Sequence, residues 1–289
     1  MSRSHLPARC AGLAAMALAA GMAVALADEA ELPSVTVAAP DQALEALMPL
    51  ADALRQVVGD AGIATHTSIG STGAGPGDAW RLRIVGPENV DAVGEEGIAL
   101  ARLTDEHHVV VVPMDSTVPS LADLMNIVRV QPDSVRWAMG DSDIDRQALE
   151  AVARASGADP AKLNVAPLEE ASRRDAVIAG RVTVAFGPQS EFLEAFRHRN
   201  LRALAISAPS RIAGVDIPTF REQGFEVVTQ TWRGVAIEGE NASADAPAVR
   251  AAIGRLVETP DWQKLVDQNG WSSSYRPANS FSDMPPGEP

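Results

Sequence analysis

Three aspartates at two-residue spacing, Asp141, Asp143 and Asp145, follow Gly140 and have Ser142 among them. A D-x-D-x-D run opens the loops that grip calcium, but those loops also need glycine at the sixth place and a bidentate acid at the twelfth. Arg146 and Val152 stand there instead. Helix capping is the simpler reading, because aspartates at a helix start complement its N-terminal dipole. A second polar group, Asp105, Glu106, His107 and His108, joins metal-ligand types. Neighbouring strand residues point to opposite faces, so the two histidines do not close on one ion, and the group reads as exposed polar residues at a strand end. Ser71 and Ser142 lie in glycine-bearing loops without the G-x-S-x-G surround of a hydrolase nucleophile. With no nucleophile–base pair and no metal cluster legible, the expectation is a non-enzyme without cofactor or metal.

The two ends of the chain narrow the setting. Residues 1–27 hold Arg3, Arg9 and no acid, then an apolar stretch that closes on Ala25-Leu26-Ala27. A basic start, an apolar stretch and a small-x-small end make a secretory signal, cleaved after Ala27, and imply a periplasmic protein. Cys10 is the only cysteine and lies inside that leader, which excludes disulfides, thiolate-bound zinc and thiol catalysis from the mature chain. Loss of the leader also takes the net charge from −14 to −16. Such a surface repels nucleic acid and anionic lipid. Residues 282–289 hold three prolines and a glycine and read as a disordered tail.

Positioning of the polar groups falls to alternating strands and helices. Leu44, Leu47, Leu50, Ala51, Leu54 and Val58 recur at helical spacing after a short strand at Val35–Ala38, and Val109–Pro113 is a continuous apolar run of the kind buried on both faces of a sheet. Further strands are expected at 134–139, 182–186, 201–206, 227–231 and 234–237, with helices at 121–130, after Asp143, at 173–179, 247–257 and 261–269. Strand–helix alternation predicts an α/β protein with sheets flanked by helices. Two such series, divided near Val111 and again near Trp232, predict two lobes joined by crossing strands: 28–110 plus 234–281, and 111–233.

From His107 onward the order of motifs resembles the periplasmic receptors of tripartite tricarboxylate transporters. The resembling text is VVVVP at 109–113, Ser120-Leu121-Ala122-Asp123-Leu124, Ala179-Gly180-Arg181-Val182-Thr183-Val184-Ala185-Phe186 and Asn200-Leu201-Arg202-Ala203-Leu204-Ala205-Ile206. Val215-Asp216-Ile217-Pro218-Thr219-Phe220, with Glu222, Gly224 and Phe225 after it, is its most specific part, and Trp232-Arg233-Gly234 and Pro260-Asp261 follow in order. The resemblance implies a type II two-lobed binding protein fold, a monomer that closes a cleft on a small-molecule solute, and delivery to membrane permease subunits. It places Pro40, Asp41 and Gln42 in a first ligand loop, Ser71, Thr72, Gly73 and Ala74 in a second, and Gly140, Asp141, Ser142 and Asp143 in a third. Gly187 and Trp232 complete the implied ligand-binding set, although Trp232 serves equally well as a core residue.

The chain departs from the family at those same loops. Ala39-Pro40-Asp41-Gln42-Ala43 replaces an aromatic residue and a glycine pair, the aspartates replace a Gly/Ser-rich third loop, and Gly187 stands where an acid is common. Organic acids are the family's usual solutes, held by backbone N–H groups and helix starts. Carboxylates facing that cleft repel a di- or tricarboxylate and favour a cationic or neutral solute. A member that no longer transports and acts in periplasmic sensing or interaction is the alternative.

Overall fold

A computed structural model of the 289-residue chain describes residues 34–40, 44–64, 66–71, 80–93, 97–140, 142–168, 170–239 and 242–278. Residues 1–33 (which include the expected leader), Asp41, Gln42, Thr72, Gly73, Ala74, Asp141 and the expected tail at 282–289 lie outside them. In chain order the elements are β1 (Ser34–Ala39), α1 (Leu44–Asp60), β2 (His66–Ser71), β3 (Trp80–Val85), β4 (Ile98–Pro113), α2 (Leu121–Val130), β5 (Arg136–Met139), α3 (Asp143–Ser156), β6 (Asn164–Pro167), α4 (Glu170–Ile178), β7 (Val184–Pro188), α5 (Gln189–Arg197), β8 (Leu201–Ile206), β9 (Gln230–Glu238), α6 (Ala242–Leu256), α7 (Pro260–Gln268) and β10 (Ser272–Pro277).

One strand ties the sheet together. β4 runs for 16 residues, far beyond the five-residue apolar run at its end, because Thr104–His108 stays extended between two apolar segments. Its first part pairs with β9 and β10, and its last part with β7 and β8, all antiparallel. Register shifts against β9 at Ala99/Ala101 and Arg102/Thr104, and against β8 at Val110/Val111, mark bulges. Bulges bend and twist a strand, which lets β4 leave one sheet segment and enter the next. The parallel pairs lie on either side: β2-β1-β3 in the first segment and β7-β5-β6 in the second. The strands expected at 227–231 and 234–237 are one strand, β9, that carries Trp232 through without a break.

Each segment has its own core. Leu47, Leu50, Leu54 and Val58 on one face of α1 pack with Trp80, Leu82 and Trp262 against the first. In the second, alternate valines of β4 serve opposite faces: Val110 and Val112 pack with Trp137, Phe186 and Phe220, and Val109 and Val111 with Val177 and Phe192. That is the period of two expected of a strand buried on both sides. Ser120, Ser142 and Thr259 accept hydrogen bonds from the third residue on and so fix the starts of α2, α3 and α7. Among the described residues no helix is long and apolar enough to cross a membrane.

Candidate functional site

The polar island of β4 falls where the strand passes between the two segments. His107 and His108 are buried rather than exposed, a correction to the strand-end reading: the strand continues past them and β9 and the Ser207–Thr229 segment cover them. His107 Nδ1 lies 3.3 Å from the Thr229 carbonyl, and burial pushes its imidazole below the usual histidine range. His108 stacks on Phe186, with ring centroids 5.2 Å apart. Its Nε2 lies 3.1 Å from Asp145 Oδ1 and its Nδ1 3.2 Å from Thr229 Oγ1.

Asp145 begins a closed array of charges. Its backbone N–H donates to Ser142 Oγ, which caps the start of α3, and the Ser142 hydroxyl donates back to Asp145 Oδ2 at 2.9 Å. Arg173 of α4 stands 3.6 Å from that oxygen and donates to Glu191 of α5 through Nε and Nη2, the shorter at 2.6 Å. All three side chains are buried. Burial pushes the Asp145 carboxyl up, but the bond and charge of His108, then Arg173 and Ser142, outweigh it and hold the group below the usual aspartate range. Two glycines make room for this array. A Cβ on Gly140 would lie 1.9 Å from Asp145 Oδ2 and 2.3 Å from Arg173 Nη1, and one on Gly187 would lie 2.9 Å from Glu191 Oε2.

Beside the array, on the same stretch of β4, the packing leaves a cavity of about 300 Å³. The first turns of α1 (Glu45, Leu47, Pro49) wall it from the first segment, and the start of α5 (Pro188, Ser190, Leu193) from the second; Glu106, Arg233, Asn269 and Trp271 complete it. Glu106 Oε1 accepts the backbone N–H of Ser190 at 2.9 Å, so a carboxylate from β4 sits on the start of α5. Burial raises the Glu106 pKa in spite of the Ser190 hydrogen bonds and the nearby Arg233 and His108. Arg233 Nη1 is engaged with the Trp232 carbonyl at 3.0 Å and with Thr231 Oγ1 and Glu88 Oε2 at 3.2 Å each.

The implied ligand residues are thus distributed. Pro40 is half-buried beyond β1, and Ser71 pairs in register with Ala39 at the ends of β2 and β1. Gly140, Ser142 and Gly187 belong to the closed array. Asp143 points away from it, with its side chain 76% exposed and paired with Arg146 at 2.5 Å. Trp232 is buried among Val85, Val93, Ala99 and Ala236, with the Arg102 guanidinium 5.6 Å from its ring centroid. None of these lines the cavity; the residues that do stand a few places along the chain, Glu45 after Gln42, Ser190 after Gly187 and Arg233 after Trp232. Glu106, Arg173 and Glu191 are what sequence reasoning missed. The signal for Glu106 was a charged pair interrupting an apolar strand. Among the described residues no group of three His, Cys, Asp or Glu side chains could hold a metal ion.

Two α/β sheet segments on a shared crossing strand, each with helices around it, define the two-lobed fold of periplasmic binding proteins. The chain aligns over most of its length with solved proteins of that fold. A TctC solute-binding protein from Polaromonas superposes with a TM-score of 0.65 at 18% identity, over 87% of this chain and 94% of that one. A protein of R. palustris with adipate gives 0.67 at 14% identity, over 89% and 92%. MatC from Rhodopseudomonas palustris, with bound malate, gives 0.61 at 16% identity, over 83% and 89%. No protein-family model matches the chain, and no curated protein sequence matches it.

Proposed function

We propose that the chain is a periplasmic, non-enzymatic solute-binding receptor of the tripartite tricarboxylate transporter type, exported by a leader cleaved after Ala27. Residues 28–110 with 234–281, and residues 111–233, form its lobes, and it delivers a small molecule to membrane permease subunits. The observation that carries this reading is the cavity at the β4 crossover, walled by α1 on one side and the start of α5 on the other. Binding proteins hold their solutes in such a place, between two α/β units and against helix starts. The solute is not a typical di- or tricarboxylate, since the chain's own Asp145 and Glu106 carboxylates already sit at the starts of α3 and α5.

A second reading, a periplasmic sensing or interaction protein that has ceased to transport, draws support from the closed array over Gly140 and Gly187, two positions of the implied ligand set. A thermal-shift panel of organic acids, amino acids, amines and sugars separates the two. Binding at 100 times the dissociation constant adds about 2.7 kcal/mol of stability, which such a screen detects. A stabilising solute and recovery of permease subunits in a pull-down support the receptor; a panel without response, with a sensor recovered instead, supports the second reading.

A further inference from the structure

We propose that the cavity selects a small amine, with Glu106 as the partner of its ammonium group and Glu45 at the mouth. This rests on the receptor reading and names the solute class of the same site.

The argument begins with where an anion would have to go. Helix starts attract carboxylates because they present unpaired N–H donors and partial positive charge. Here the N–H of Ser190 in the first turn of α5 already donates to Glu106, and at α3 the Asp145 N–H is taken by Ser142. The cations nearby are engaged as well: Arg173 with Glu191 and Asp145, Arg233 with Glu88 and the Trp232 carbonyl. An incoming carboxylate would have to displace an internal carboxylate from one of these places, against like-charge repulsion.

The charged residues in the cavity lining, Glu45, Glu106 and Arg233, leave it net negative, with Arg233 Nη1 held by Glu88 and the Trp232 carbonyl, and that balance suits a cation. An ionised carboxylate offers about four acceptor sites, and Ser190 takes two from Glu106 through its N–H and hydroxyl, which leaves capacity on the cavity side. Trp271 lines the cavity, and an aromatic wall beside a carboxylate is a favourable pairing for an ammonium group. Asn269, also in the lining, offers a side-chain acceptor for a second polar group. At about 300 Å³ the space lies at the small end of solute pockets, which fits an aliphatic amine of roughly four to six carbons.

Isothermal titration of the mature chain tests the assignment, with 1,4-diaminobutane, n-butylamine, succinate, adipate, a neutral amino acid and a hexose as probes. The expected result is stoichiometric binding of an amine and none of the dicarboxylates. Glu106→Gln keeps an acceptor for Ser190 but removes the charge, and should weaken the amine about 30-fold or more; Glu45→Gln, at the exposed mouth, about 3-fold. A second measurement needs no variant: the amine should shift the amide resonances of Glu106 and Ser190. Tight binding of a dicarboxylate or hexose without amine binding would leave the receptor reading standing and sink this assignment. So would amine binding that is indifferent to Glu106→Gln in a folded variant, or that leaves both resonances unmoved. Silence from every probe would sink both.

Discussion

Glu106 and His108 lie two residues apart on one strand, and each meets a polar group at the start of a helix, yet their surroundings differ. On the His108 side the space is full. Asp145, Arg173 and Glu191 alternate in sign at 3.6 and 2.6 Å, and the backbone at Gly140 and Gly187 comes so close that a methyl group would collide with them. On the Glu106 side the same ingredients, a carboxylate, a helix start and an arginine, surround a void. A charge whose partners are all internal rigidifies the fold, and a solute could only compete with it. A charge with acceptor capacity facing empty space can still gain from a ligand. Gly140, Ser142 and Gly187, expected to grip the solute, therefore help to brace the second segment, and the proposed binding place lies one step along the strand.

The largest test of that contrast is Arg173→Met. Removing the cation takes from the buried Asp145 and Glu191 the arginine they share, although Asp145 keeps His108 and Ser142, and breaking a buried ion pair in this way costs about 3–5 kcal/mol. Urea unfolding should show a midpoint lowered accordingly, with an unchanged slope. A loss below about 1 kcal/mol would mean that water reaches the array and that it is no more closed than the cavity.

The second effect is a slope with pH, and the two carboxylates should give opposite signs. Asp145 has its pKa held below the usual 3.8 in the folded protein, so its stabilisation is present above 3.8 and is lost as pH falls through the depressed value. Glu106 has its pKa raised above 4.5, so the folded state favours its neutral form. Stability is then lost as pH rises from 4.5 through the raised value. Relative to wild type, Glu106→Gln should gain stability as pH rises through that window, whereas Asp145→Asn should lose it as pH rises towards 3.8. Denaturant titrations of the three proteins across acid to neutral pH measure both. Slopes of one sign would erase the distinction between the two sides of the crossover.

How much of this could be read in the sequence follows from the range of each interaction. Local features were legible: the apolar run Val109–Pro113, the stripe of α1, and the aspartates as residues of a helix start. The alternation of strands and helices led to the α/β class, and the resemblance to its two-lobed form. What stayed hidden joins residues far apart in the chain, His108 to Asp145 over 37 positions and Glu106 to Ser190 over 84. No spacing rule reports such pairs. The polar island of β4 misled for the same reason, since five polar residues in a row look like a strand end until their partners arrive from α3, α5 and β9. Gly140 and Gly187 were placed in the ligand set by the resemblance; that the groups close to them are the chain's own side chains was not legible.

The smallest effect concerns the run of aspartates itself. Asp143 and Asp145 share a residue type, a helix turn and a place in the implied third loop, but only Asp145 is folded inward. Asp143 sits on the exposed side of α3 with Arg146 for a neighbour. An exposed i,i+3 pair contributes roughly 0.3–0.5 kcal/mol, and an acid in the first turn a few tenths more through the helix dipole. Asp143→Ala should therefore lower stability by less than about 1 kcal/mol, and added salt should shrink the difference further. It should also leave solute affinity unchanged, because its side chain lies away from both the array and the cavity. If Asp143→Ala instead altered the binding of any solute, the third loop would have to be restored to the site, and the division between a closed and an open side of the crossover would fail at its most exposed point.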